Sequence, residues 1–189
     1  ERLINYGLGN LSSVSNALTS LDIAHEIISS PNDFLRASHI ILPGVGSFKE
    51  GMDGLRRGGW IEPLHEQVLQ QRKPFLGICL GMQLLSDKGF ENGECAGLAF
   101  IPGLVEKIPV TEHDLPLPHI GWNSVRIKQG KRIVQGLPVD PDFYFVHSFA
   151  FRPKDPSVVV ATAEYGEEFC CVIQSDNLYG AQFHPEKSQ

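Results

Sequence analysis

Apolar residues recur at positions 11, 14, 18 and 21 of the stretch LSSVSNALTSL, a spacing that predicts an amphipathic helix. Short apolar runs of strand length lie on either side, RLINYG before it and AHEIIS and SHIILPG after it. Between the last two, SPNDFLRA reads as a helix start with Pro31 and Asn32 as punctuation. WIEPLHEQVLQQRK predicts a further helix that ends before Pro74, and the strand-like PFLGIC then gives way to LGMQLLSDK at helical spacing. Strands alternate with helices as far as Lys88, which predicts a parallel sheet wound on both faces. Beyond Lys88 the helical signal fades. GLAFIPGLVEKIPV, GWNSVRIK, FYFVHSFAF, VVVATAEY and FCCVIQ…NLYGAQF predict strands separated by turns. The expected class is therefore α/β: an open, mainly parallel sheet flanked by helices, with antiparallel β additions in the C-terminal half. No repeat, low-complexity tract or linker divides the chain, so residues 1–189 are expected to form one domain whose natural ends extend further.

Composition narrows the function classes. The 189 residues carry 16 basic and 22 acidic side chains, a net charge of −6, with no lysine or arginine cluster. That balance argues against a nucleic-acid or anionic-membrane surface as the main function. No apolar run reaches transmembrane length. The four cysteines, Cys79, Cys95, Cys170 and Cys171, form no C-x-x-C pair, and the adjacent two are expected on opposite faces of a strand. Reduced thiols in a cytoplasmic protein are the expectation.

One of these thiols stands apart. Cys79 sits between Gly77 and Gly81 where an apolar strand meets a helix. A sharp strand-to-helix turn strains its central residue towards positive φ, and small neighbours let the backbone pass closely. This is the pattern of a nucleophile elbow with sulfur in place of serine. The amino end of the following helix would favour a thiolate. Taken alone, the motif is balanced by the alternative of a buried structural cysteine.

The closing YGAQFHPEKS supplies two more groups. His184 and Glu186 lie two apart around Pro185, and residues i and i+2 of an extended segment project to one side. Glu186 would then orient one ring nitrogen of His184 while the other faces the thiol. No further ligand stands at metal-site spacing, and His25, His39, His65 and His113 are expected as surface or core residues. In ILPGVGSFKEG, two glycines flank Val45 at a strand's carboxyl end, where open α/β sheets place ligands. The Val45 N–H, with that of Leu80, would serve a developing oxyanion. At rest the Val45 N–H is expected to turn away, leaving Leu80 as the one donor.

PGVG, GICLGMQLL and QFHPEKS, in this order, resemble the class I (triad-type) glutamine amidotransferases, whose fold is flavodoxin-type. NYGLGNL, LPLPHIGWN and FYFVHSF further resemble the glutaminase subunits of imidazole glycerol phosphate synthases, and the likeness runs from about Asn5 to Ser188. The resemblance implies hydrolysis of L-glutamine through a thioester on Cys79, with His184 as base and then acid. The ammonia would pass to a (β/α)8-barrel cyclase subunit that forms imidazole glycerol phosphate and AICAR in histidine biosynthesis. It implies no cofactor and no metal. Gln83 would contact the substrate, and the backbone of Gly44 and of Ser148 and Phe149 would line its pocket. Asn10, Trp122, Tyr144 and Lys187 would lie at the cyclase interface near the ammonia exit. Asn5 departs from the aspartate common before Tyr6 in the family, and the family usually continues past Gln189 into a last helix. Two alternatives stay open: a paralogous glutaminase feeding a sugar-modifying partner, and a non-catalytic binding module of the same fold.

Overall fold

A computed structural model describes residues 1–110 and 114–187; His113 lies outside the described residues. Among the described residues, thirteen strands and four α-helices are numbered in chain order. Strands β1 (Arg2–Ile4), β2 (Glu26–Ile28), β3 (Ile40–Leu42), β4 (Phe75–Ile78) and β13 (Leu178–Ala181) pair in parallel in the order β2-β1-β3-β4-β13. This is the flavodoxin-like order, whose switch point places ligands beyond the carboxyl ends of the central strands. The sheet continues antiparallel through β12 (Glu167–Ser175), β11 (Val159–Tyr165), β8 (His119–Ile127) and β9 (Asp142–His147), giving nine strands. Five strands are thus parallel, and the four further strands are the expected antiparallel additions.

Helices cover both faces of the parallel part. Helix α1 (Leu11–Ser20) buries Val14 and Leu18 against Leu3, Ile41 and Ile78. Leu21, the last position of its apolar stripe, falls past the helix end and is exposed. Ile4 and Leu42 face the opposite side and pack with α2 (Phe48–Arg57) and α3 (Ile61–Leu64), the latter prolonged by a π-helical stretch over His65–Gln70. Successive strand residues therefore serve alternate cores. Cys170 and Cys171 obey the same rule, each belonging to a different core cluster.

Three elements differ from the sequence reading. Helix α2, whose apolar stripe is interrupted in the sequence by Gly51 and Gly54, carries a capping box between Ser47 and Glu50 and buries Phe48, Met52 and Leu55. SPNDFLRA forms a short 3₁₀ turn over Pro31–Arg36. FYFVHSFAF is cut at Ser148 into β9 and β10 (Phe149–Pro153), which join different sheets. Strand β10 pairs with β7 (Gly103–Lys107), and β5 (Lys88–Gly89) and β6 (Cys95–Ala96) complete a second, four-stranded sheet.

Candidate active site

Cys79 is the first residue beyond β4, between β3 and β13 at the centre of the sheet. Its φ of 54° and ψ of −110° are the sharp turn that the flanking glycines predict. Hydrogen bonds on both sides hold this strained residue. Its N–H donates to the Ala181 carbonyl at 2.7 Å, and its carbonyl accepts from the N–H groups of Met82 and Gln83 at 3.1 and 3.3 Å. Close approach demands the glycines: a Cβ on Gly81 would collide with the Leu42 carbonyl, and one on Gly77 with that of Gly81. Helix α4 spans only Leu80–Gln83, shorter than LGMQLLSDK predicts. The carbonyls of Leu84 and Leu85 accept instead from Leu98, Phe100 and Ile101, which draws the chain out of the helix. The expected helix-dipole effect on the thiol shrinks to that of a single turn.

The chain leaving β13 passes directly in front of this thiol. The His184 N–H donates to the Tyr144 carbonyl of β9 at 2.9 Å, which fixes the segment against the sheet. His184 Nδ1 and Glu186 Oε1 lie 2.8 Å apart, with both side chains almost wholly buried. The second carboxylate oxygen, Oε2, is buried without a partner. Burial pushes the His184 imidazole towards neutrality, but hydrogen bonds and charge from Cys79 and Glu186 outweigh it and raise the pKa to about 9. The Cys79 thiol donates to the Val146 carbonyl at 3.8 Å and accepts from Gln182 Nε2 at 3.6 Å.

The loop after β3 carries a correction. The Leu80 N–H donates to the Gly44 carbonyl at 3.3 Å, so it is engaged rather than left as a free oxyanion donor. The peptide between Gly44 and Val45 thus turns its oxygen, not its N–H, towards Leu80. Tyr6 closes this corner: a Cβ on Gly44 would collide with its hydroxyl, which is buried without a partner. Burial, reinforced by the charge of Cys79, holds that phenol far above the usual range.

One cleft collects most of the residues singled out by sequence. Val45, Cys79, Leu80, Gln83, Ser148, Phe149, His184 and Glu186 line it, with Asn10 and Lys187 at the same cleft. Asn10 also has a structural duty, since its side chain caps α1 by accepting from the Ser13 N–H at 3.2 Å. Gly44 sits behind the lining. Trp122 and Tyr144 lie beside the cleft, paired across β8 and β9 with ring centroids 5.6 Å apart, and Lys187 Nζ stands 4.3 Å over the Tyr144 ring. Among the described residues, no three His, Cys, Asp or Glu side chains converge as metal ligands.

Sequence reasoning missed four neighbours. Glu91 lines the cleft and accepts from the Phe48 N–H at the start of α2, at 3.2 Å. His147 donates through Nδ1 to the Phe149 carbonyl at 2.9 Å and lies 3.0 Å from His119 through its other nitrogen. Burial lowers both imidazoles to about 4. Gln182 and the Tyr6 hydroxyl complete the set. For Gln182 a signal existed: it precedes His184 by two residues, as His184 precedes Glu186, so all three share one side of an extended chain.

Comparison with known proteins agrees with this geometry. Residues 2–189 match the family Glutamine amidotransferase class-I. The imidazole glycerol phosphate synthase subunit HisH 1 of Campylobacter jejuni is 48% identical over 187 residues, covering 99% of this chain and 92% of that protein. The HisH subunit of Moorella thermoacetica is 44% identical over 186 residues, covering 98% and 87%. A crystal structure of a glutamine amidotransferase superposes with a TM-score of 0.76 at 18% identity over 98% of this chain and 90% of the other, a likeness of fold. The chain belongs to the class-I glutamine amidotransferases, among relatives that are HisH subunits of imidazole glycerol phosphate synthase.

Proposed function

We propose that the protein hydrolyses L-glutamine to glutamate and ammonia and supplies the ammonia for histidine biosynthesis. The observation that carries this reading is the placement of His184, hydrogen-bonded to Glu186 at 2.8 Å and within hydrogen-bonding reach of the strained Cys79 at the end of the central strand. His184 takes the proton of the Cys79 thiol as the sulfur attacks the side-chain amide carbon of glutamine, and the negative charge collects on the amide oxygen. The imidazolium so formed, which Cys79 and Glu186 stabilise against the cost of burial, gives its proton to the departing nitrogen. Ammonia leaves and a γ-glutamyl thioester remains on Cys79. The neutral His184 then takes a proton from water, which opens the thioester and frees glutamate. Glu186 keeps the ring oriented and stabilises its charge.

Gln83 lines the cleft with its Nε2 already engaged by Phe149 and Gln182, so its Oε1 is the atom left to accept from the substrate. The backbone of Ser148 and Phe149 bounds the substrate side chain.

Ammonia released into water would be protonated and lost as a nucleophile, so a sealed route to an acceptor subunit belongs to the same reading. The partner is a (β/α)8-barrel cyclase subunit, the assembly is a cytoplasmic heterodimer, and the joint reaction yields imidazole glycerol phosphate and AICAR. Support comes from the apolar strip beside the cleft, where Ile120 and Trp122 on β8 face Val146 and Tyr144 on β9. Ile120, Trp122 and Val146 are exposed, which is costly unless a partner covers them. Trp122, Tyr144 and Lys187 then border the ammonia exit, and Asn10 lies at the rim. The test mixes the protein with a cyclase subunit from a HisH-containing synthase and follows glutamine-dependent product formation. Product that forms from ammonium salts but never from glutamine would overturn the reading.

A further inference from the structure

Gln182 lies in the segment between β13 and His184 and is fully buried. A buried amide must satisfy both ends, and here both are used. Its Nε2 donates to Cys79 Sγ at 3.6 Å, and its Oε1 accepts from Gln83 Nε2 at 3.0 Å. The orientation is dictated from outside. The Phe149 carbonyl has no proton to give, so Gln83 must turn its NH2 towards it, at 3.1 Å. The same NH2 reaches Gln182, which leaves Gln182 only its own NH2 to present to the sulfur. The backbone is equally fixed, since the Gln182 N–H donates to the Cys171 carbonyl at 2.8 Å.

We propose that Gln182 is a further catalytic residue, whose side-chain N–H stabilises the anionic sulfur of Cys79 and whose amide is locked in the donating orientation by Gln83. The inference rests on Cys79 as the nucleophile. Three groups thus meet the sulfur with different tasks. His184 exchanges the proton, the Val146 carbonyl holds the thiol hydrogen at rest, and Gln182 donates throughout. Only the last interaction strengthens when the sulfur becomes negative without itself titrating. The titratable groups around the sulfur are His184 and Tyr6, with Glu186 and His147 behind His184.

The test compares the parent with Gln182→Leu and Gln182→Glu, reading the rate of iodoacetamide alkylation by peptide mapping at pH 7 and pH 10. Gln182→Leu removes the donor, and Gln182→Glu keeps an acceptor for Gln83 while placing a carboxylate on the sulfur. At pH 7 the leucine variant is expected to react about tenfold more slowly at Cys79, the effect of roughly one pH unit in ionisation, and the glutamate variant more slowly still. At pH 10, where thiols ionise unaided, both should fall within about threefold of the parent. Should the leucine variant fail to fold, the nearly isosteric glutamate variant carries the comparison. An unchanged rate at pH 7, or equal slowing at both pH values, would overturn the role of Gln182. Labelling of Cys95, Cys170 or Cys171 in the parent while Cys79 stays unlabelled would overturn the nucleophile assignment and this inference with it.

Discussion

The backbone N–H of Leu80 donates to the carbonyl of Gly44, 3.3 Å away, and this bond occupies the donor that an oxyanion at Cys79 would need. The resting arrangement therefore lacks both expected donors, because the same peptide that presents this oxygen turns the Val45 N–H away. Rotation of one peptide would exchange oxygen for N–H and release Leu80 together. Gly44 and Gly46 bound the moving unit, and Gly46 already holds a φ of 112° that other residues rarely adopt. A single missing donor of this type costs on the order of a hundred- to a thousandfold in rate.

Replacement of the three reacting groups should separate their roles. Cys79→Ala is expected to abolish glutamine hydrolysis while leaving ammonia-dependent synthesis by a bound partner largely intact. His184→Asn should cost a comparable factor, since it removes both proton transfers, whereas Glu186→Gln should leave measurable activity because that group acts through His184. Parallel steady-state assays with glutamine and with ammonium chloride give the ranking, and a Glu186 variant more damaged than the other two would contradict it.

Acid should loosen the β8–β9 region. His119 and His147 share a hydrogen bond at 3.0 Å, and burial lowers both to about 4 from an ordinary value near 6.5. Between pH 6.5 and 4 the unfolded chain binds protons that the folded chain refuses, so their stabilising contribution, complete above pH 6.5, is lost as pH falls through 4. The loss is on the order of 3 kcal/mol for each histidine. His184 has the opposite sign: raised to about 9, its contribution is complete below pH 6.5 and disappears as pH rises through 9. Urea unfolding from pH 4 to 9.5 should show stability falling at both ends, and His119→Phe should flatten the acid limb.

The buried Tyr6 hydroxyl lacks a partner, which carries a desolvation cost of about 1–3 kcal/mol. Tyr6→Phe should consequently raise the thermal midpoint, by about 2–4 °C for each kcal/mol recovered in a chain of this size. Calorimetry of parent and variant decides it; a lower midpoint would mean the hydroxyl is bonded in solution.

Gly81→Ala should act in the other direction. Its Cβ would meet the backbone carbonyl of Leu42, which no change of rotamer relieves. A loss of at least about 3 kcal/mol is expected, read as a lowered denaturation midpoint or a failure to accumulate folded protein.

The elbow and the histidine segment were legible in sequence because each is a local pattern. Glycines two away from Cys79 mark a strained turn, and alternate positions place His184 and Glu186 on one side. Helix α2 was harder, since Gly51 and Gly54 mask an apolar stripe whose small members pack against Leu84 and Tyr6. Its capping box was the available clue. The break at Ser148, the length of α4 and the engaged Leu80 N–H depend on partners distant in the chain. No periodicity records that the Leu84 and Leu85 carbonyls will be claimed by Leu98, Phe100 and Ile101, or that Gly44 will turn its oxygen towards Leu80.

Gating of glutamine hydrolysis by a partner is tested most directly by the steady-state rate of glutamate release under three conditions: the protein alone, with a cyclase subunit, and with that subunit carrying its acceptor ligand. Partner contacts beside the cleft, at Trp122, Tyr144 and Lys187, would bias the Gly44–Val45 peptide towards the competent form, the two-state element that coupling between sites requires. The expected result is a very slow rate alone and an increase of at least about a hundredfold with partner and ligand, matching restoration of oxyanion donors. Equal rates in all three conditions would contradict the gate.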